Sequence, residues 1–222
     1  PRDTILLLEF NPSTYSELIK NFSMTNKQVV LFNNRRSAIW NKSSISLLKS
    51  TNSKILSINK LLTSSQKQNI EKERLQYEKI LKNLLEEKSL YDIFILNGQS
   101  FWNEIKSELI NTFLNRLLWY MQLIYSSKLY IQNSKIHSIL SLNVIGETEK
   151  SILSQKLENT NSIMLEHAFA NYTEEISRYD ILSNYSLFPD KIAVWGDVQK
   201  KYLKTIHNIS DKRIIVCGSP RH

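Results

Sequence analysis

Short apolar runs alternate with long amphipathic stretches along this chain. Thr4–Phe10 (TILLLEF), Gln28–Phe32 (QVVLF) and Lys54–Ile58 (KILSI) read as the first three strands. Asn11 is placed to cap a helix after the first, with Pro12 in its opening turn, and a second helix spans Ser37–Lys49. From Ser65 to about Lys88, the residues Ile70, Tyr77, Ile80, Leu81, Leu84 and Leu85 form a helical stripe opposite charged positions. Asp92–Asn97 (DIFILN) reads as a fourth strand, and Gln99 to about Gln132 as a long helix rich in aromatic residues. Four further strands follow at Ser138–Ile145, Ser162–Glu166, Lys191–Trp195 and Arg213–Cys217, with helices after the first and third. Apolar runs without strict alternation suit strands buried on both faces, as in parallel sheets. Strands separated by helices predict an α/β fold: a Rossmann-like, doubly wound, mainly parallel sheet with flanking helices, with residues 1–222 as a single lobe.

Glycine sharpens this picture. The chain of 222 residues has 4 glycines, where average usage gives about 15. Gly98, Gly146, Gly196 and Gly218 each follow an apolar run, at the carboxyl end of an expected strand. That edge is where open α/β sheets bind ligands, although each glycine also serves as ordinary turn chemistry.

Four constellations could carry chemistry. Gly146-Glu147-Thr148-Glu149 opens a helix after a strand; Thr148 could bond a sugar hydroxyl, and the acidic residues disfavour a phosphate there and also suit a helix start. Glu166-His167-Ala168 places His167 at a strand tip, as a base or phosphate contact, with Glu166 to orient it or act as an acid. Asn33-Asn34-Arg35-Arg36 presents two arginines at a strand-to-helix turn, suited to a carboxylate or phosphate. Trp102, Phe113, Trp119, Tyr120 and Tyr125 on the long helix read first as core, and as a docking face if any side of the helix stays open.

Charge adds an uneven positive field. The net charge is +8, and residues 1–60 hold nine Lys or Arg against Asp3, Glu9 and Glu17. Such a basic region attracts an anionic acceptor or a membrane surface. No nucleic-acid-binding motif accompanies it. The chain has no GxGxxG, Walker A, GxSxG, HExxH or DxD signature, and its one cysteine, Cys217, leaves no metal-ligand set of the CxxC kind. No run reaches the roughly 18 apolar residues of a membrane span. The single cysteine fits a reducing, cytoplasmic setting, and the basic N-terminal region adds an expected peripheral contact with the inner membrane face. A start at Pro1 and a stop just after a strand-Gly-Ser-Pro unit suggest a piece of a longer protein.

The stretch from Lys191 to Arg221, KIAVWGDVQKKYLKTIHNISDKRIIVCGSPR, resembles the late N-terminal lobe of GT-B glycosyltransferase-like proteins of the CDP-glycerol glycerophosphotransferase and surface-polysaccharide type. There a strand ending in Trp-Gly precedes a helix and then a strand ending in Gly-Ser-Pro-Arg. Glu166-His167-Ala168 stands where such proteins carry Gln-His-Gly. The chain is more distantly similar to UDP-N-acetylglucosamine 2-epimerases, whose Gly-Asp-Thr falls on Gly146-Glu147-Thr148. The resemblance implies the acceptor-side lobe of a two-lobed transferase, with the donor-binding lobe outside this chain. It implies a nucleotide-activated sugar or polyol as donor substrate, a glycan or polyol-phosphate acceptor, and no bound metal or other cofactor. His167 and Glu166 would be catalytic, and Arg35, Arg36, Gly146, Thr148, Trp195, Gly196, Gly218 and Ser219 would contact substrate. The alternatives are an epimerase acting on a UDP-sugar, and a non-catalytic basic binding or scaffold domain.

Overall fold

The computed structural model describes residues 3–57, 61–87, 89–166 and 188–219. The chain divides into two compact units. One comprises residues 1–57 and 127–222, and the other, residues 58–126, is a unit of its own within what the apolar pattern suggests as one lobe.

The larger unit is built on a seven-stranded sheet: β1 (Thr4–Leu8), β2 (Gln28–Phe32), β3 (Lys54–Leu56), β6 (Ile136–Ser141), β7 (Asn161–Leu165), β8 (Lys191–Val194) and β9 (Ile214–Val216). Their spatial order is β3-β2-β1-β6-β7-β8-β9, and every neighbouring pair is parallel. The order runs outward in one direction from β1 and in the other from β6. Those two strands therefore flank the topological switch point of a doubly wound, Rossmann-like sheet.

Parallel strands need crossovers, and the amphipathic segments supply them: α1 (Ser16–Ser23), α2 (Lys42–Ser50), α6 (Glu147–Leu153) and α7 (Asp197–Thr205). On one sheet face Ile5, Leu7, Val29, Leu31, Leu140, Leu165 and Ala193 pack with Ile19 of α1 and Leu47 and Leu48 of α2. The alternate residues Leu6, Leu8, Phe32, Ile139, Met164 and Ile192 are fully buried as well. Burial on both faces is why these strands lack polar alternation.

Two helix starts differ from the sequence expectation. Asn11 does not cap α1; its side chain accepts from Ser13 N at 2.9 Å, closing a turn before the helix. α2 begins at Lys42 rather than near Ser37, capped by Asn41, whose side chain accepts from Ser44 N at 2.9 Å. Residues 33–40 are instead used in a loop that folds back over the end of β1.

The smaller unit holds α3 (Ser64–Leu84), α4 (Ser89–Ile93), the hairpin of β4 (Ile95–Leu96) and β5 (Gln99–Ser100), and the first part of α5 (Trp102–Asn133). The expected strand Asp92–Asn97 is therefore corrected. Its first residues are helical, and its last pair antiparallel with β5 across Asn97-Gly98. Both turn residues have positive φ, 50° and 78°, the conformation of a two-residue hairpin loop that Asn-Gly favours. Gly98 thus serves a turn outside the parallel sheet and belongs to no ligand edge. Trp102 is fully buried and stacks on Phe94 with ring centroids 4.9 Å apart, whereas Phe113 is 52% exposed.

α3 opens with a reciprocal cap: Gln66 N donates to the Thr63 hydroxyl at 3.3 Å and Thr63 N donates to the Gln66 side chain at 2.9 Å. Loss of such a cap costs about 1 kcal/mol. Thr63→Ala should therefore speed amide exchange in the first turn of α3 about fivefold, measured by hydrogen-exchange NMR. Exchange in β1 and β6 should not change.

Candidate functional site

The carboxyl ends of β1 and β6 open onto a cavity of about 540 Å³ lined by Glu9, Asn11, Thr14, Tyr15, Arg35, Arg36, Leu142, Asn143 and Glu149. Its position is the switch-point crevice where doubly wound sheets bind ligands. The lining is mostly polar, and its chemistry is set by two carboxylates and two arginines.

Glu9 follows β1 directly and is buried, with a positive φ of 59°. A non-glycine residue in that region is uncommon, and here the surroundings hold it there. Its backbone N donates to Phe32 O at 3.0 Å. Its Oε1 accepts from Asn34 N at 2.9 Å, Arg35 N at 3.1 Å and the Thr148 hydroxyl at 2.7 Å. Two backbone N–H groups of the loop after β2 are therefore used on a carboxylate of the protein itself.

Glu149, in the first turn of α6, is fully buried. Its Oε1 accepts from Arg35 Nη2 at 2.5 Å and Asn143 Nδ2 at 3.0 Å. Arg35 Nε also stands 3.8 Å from Glu9 Oε1, so one guanidinium bridges both acids. Burial pushes the Glu149 carboxyl up to about 7; Arg35 pulls it down and neighbouring Glu9 pushes it further up. Gly146 makes this packing feasible. A Cβ there would overlap the Glu149 carboxyl and lie 2.9 Å from Asn143 Oδ1, which accepts from Gly146 N at 2.7 Å.

A raised carboxyl pKa has a defined sign in stability. Between about 4.5, the ordinary value, and about 7, the folded protein keeps the Glu149 proton and the unfolded chain has lost it. Stability contributed through this group therefore falls as pH rises across that window, and below it the group has no effect. Glu149→Gln should flatten this part of the stability–pH curve, as measured by urea denaturation at a series of pH values.

Of the residues expected to form a site, Arg35 and Arg36 line the cavity. Arg36 is exposed. Gly146 and Thr148 do not line the cavity: Gly146 backs the Glu149 carboxyl, and Thr148 is buried with its hydroxyl used on Glu9. Glu166 follows β7 and is 3% exposed; its backbone O accepts from Trp195 Nε1 at 2.7 Å. Trp195, Gly196, Gly218 and Ser219 follow β8 and β9 on the same sheet edge, and the switch-point cavity does not include them. Gly196 precedes α7, and Gly218 has a φ of +77°. His167 lies outside the described residues. The sequence reading singles out neither Glu9 nor Asn143 as a site residue, and it takes Glu149 as a first-turn acid, not a buried one. Among the described residues no group of His, Cys, Asp and Glu is arranged to hold a metal ion, and no helix is long and apolar enough to cross a membrane.

Fold and site together define a Rossmann-like α/β protein with an acid-walled cavity at its switch point. No protein-family model matches the chain, and no curated protein matches it. Among solved structures, the crystal structure of Cj0485 dehydrogenase aligns over 99% of this chain and 93% of its own at 14% identity, with a TM-score of 0.27. A likeness at that level says nothing about activity.

Proposed function

We propose that this chain is the acceptor-side lobe of a transferase that moves a sugar or polyol-phosphate group from a nucleotide-activated donor onto a hydroxyl of a surface glycan or polyol-phosphate chain. The observation that carries this reading is the switch-point cavity walled by Glu9 and Glu149. In a dinucleotide-binding Rossmann fold the first strand-to-helix turn offers free N–H groups to a pyrophosphate. Here that turn begins with the carboxylate of Glu9, which also takes the N–H groups that Asn34 and Arg35 of the loop after β2 would offer. A phosphate would meet negative charge instead of donors. The cavity therefore favours a ligand that donates hydrogen bonds, as the hydroxyls of an acceptor do, and disfavours a nicotinamide dinucleotide. The unit β8–α7–β9, over Lys191–Val216, has the strand-helix-strand form that the resemblance of this stretch implies. A basic surface in the first 60 residues would suit an anionic acceptor at a membrane face.

The test is donor screening with the full-length natural protein, offering UDP-sugars and CDP-polyols with glycan and polyol-phosphate acceptors. Nucleotide release and acceptor mass are followed together. Release coupled to a mass gain is the expected result. Conversion of a UDP-sugar with no acceptor present would replace this reading with an epimerase. Reduction or oxidation of a nicotinamide cofactor would replace it with a dehydrogenase.

A further inference from the structure

The two acids of the cavity share an unusual distribution of hydrogen bonds. Every donor described above falls on Oε1 of Glu9 or Oε1 of Glu149. Glu9 Oε2 and Glu149 Oε2 are buried and have no hydrogen-bond partner among the described residues. Their side chains are only 4% and 0% exposed. A buried carboxylate oxygen without a donor is costly, and native proteins rarely tolerate two together. Purely structural ion pairs tend to satisfy both oxygens, as in bidentate contacts with arginine. Arg35 does not do so here: it reaches Oε1 of each acid. Gly146 contributes as well: with no side chain it lets Glu149 Oε2 pack against its backbone, which offers that oxygen no donor.

We propose that Glu9 and Glu149 form a hydroxyl-binding, proton-accepting pair, in which Glu149 Oε2 takes the proton of an acceptor hydroxyl and Glu9 Oε2 holds a neighbouring hydroxyl of the same sugar or polyol. The proposal rests on the acceptor-side reading of the cavity. In the transfer step the acceptor O–H bond breaks and its proton passes to Glu149. The acceptor oxygen forms a bond to the anomeric carbon or phosphorus of the donor. The bond from that atom to the nucleotide phosphate oxygen breaks, and its electron pair leaves with the nucleotide. The charged groups facing Glu149 are Arg35, from the loop after β2, and Glu9, at the end of β1. Arg35 keeps the ionised form accessible, and burial with Glu9 makes it basic enough to accept a proton near neutrality. Arg36, exposed on the same cavity, is placed to meet a carboxylate or phosphate on the acceptor.

The test uses protein with ¹³C-labelled glutamate carboxyls, with Glu9 and Glu149 assigned by through-bond correlation so that no variant is required. The Glu149 resonance should titrate near neutral pH. Saturation with methyl glucoside, N-acetylglucosamine, glycerol or glycerol 3-phosphate should shift that midpoint down, because a hydroxyl donating to the carboxylate favours its charged form. In the turnover assay Glu149→Gln should lower kcat by about a hundredfold or more with little change in KM, and Glu9→Gln should mainly raise KM. If none of the four probes moves the Glu149 resonance, the proposal is overturned. Full turnover by Glu149→Gln overturns it equally. Probe binding at Glu149 with no transfer from any donor would keep the hydroxyl site and remove the transferase reading. Transfer with an unmoved Glu149 resonance would do the reverse.

Discussion

Arg35→Leu is expected to destabilise the fold by about 3 kcal/mol above neutral pH, and by markedly less in mild acid. The guanidinium stands 2.5 Å from Glu149 Oε1 and 3.8 Å from Glu9 Oε1, and both carboxylates are buried. Removing it leaves two like charges side by side without a cation. The low end of the range for a broken buried pair applies because the Arg35 side chain is 40% exposed and water screens it in part. The dependence on pH distinguishes charge from packing. Glu149 already titrates up to about 7, and loss of its cation moves that value further up. In mild acid Glu149 holds a proton in both wild type and variant, so the difference between them shrinks. A loss independent of pH would mean that Arg35 acts through its aliphatic stem. Arg36→Leu is the internal control: the residue is exposed with no ion pair described, and its removal should shift stability by no more than about 0.5 kcal/mol. Urea denaturation of the three proteins at several pH values settles the comparison.

The sheet was legible in the sequence because burial on both faces leaves contiguous apolar runs. QVVLF matches β2 residue for residue, Gln28–Phe32, and the other six strands of the sheet fall within one or two residues of an apolar run at one end or both. DIFILN failed for a physical reason. A run of only four apolar residues, Ile93–Leu96, is equally compatible with a helix turn, and the Asn97-Gly98 pair, a hairpin signal, takes precedence over the run. The site was legible only in part. Arg35 and Arg36, which line the cavity, stand out in the sequence because paired arginines at a strand-to-helix turn are a local pattern. Glu9 was absorbed into TILLLEF, and Glu149 looked like an ordinary first-turn acid. What makes them a site is non-local: the Thr148 hydroxyl reaches Glu9 across 139 residues, and Arg35 reaches Glu149 across 114. One trace was present in the sequence, a single carboxylate at the carboxyl end of an otherwise apolar strand, which is an address for a ligand edge and not for a core.

Gly146→Ala should have the second large effect, and it probes the same acid from the opposite side. Gly146 precedes α6 with a φ of −61°, a conformation that alanine adopts without strain. Any penalty must therefore come from what the new methyl group meets. It meets the Glu149 carboxyl within van der Waals contact, and Asn143 Oδ1 at 2.9 Å. Both are short of flexible reach, because Glu149 is fully buried and tied to Arg35 and Asn143. Overpacking of this kind costs about 1–3 kcal/mol. Part of any loss would come from replacing glycine at a helix start, and Gly196→Ala measures that part separately. Gly196 also precedes a helix, but a Cβ there meets only Gln199 Oε1, at an ordinary 3.4 Å. The excess of Gly146→Ala over Gly196→Ala is the contact term. The double variant Gly146→Ala/Glu149→Ala should recover most of that excess, a coupling that only neighbouring groups show. Displacing the carboxyl from its pocket should also return its titration toward the ordinary carboxylate range, since burial is the main cause of the upward shift. If Gly146→Ala were as stable as Gly196→Ala, the Glu149 carboxyl would not lie against α6's first turn, and the acid pair at the switch point would have to be redrawn.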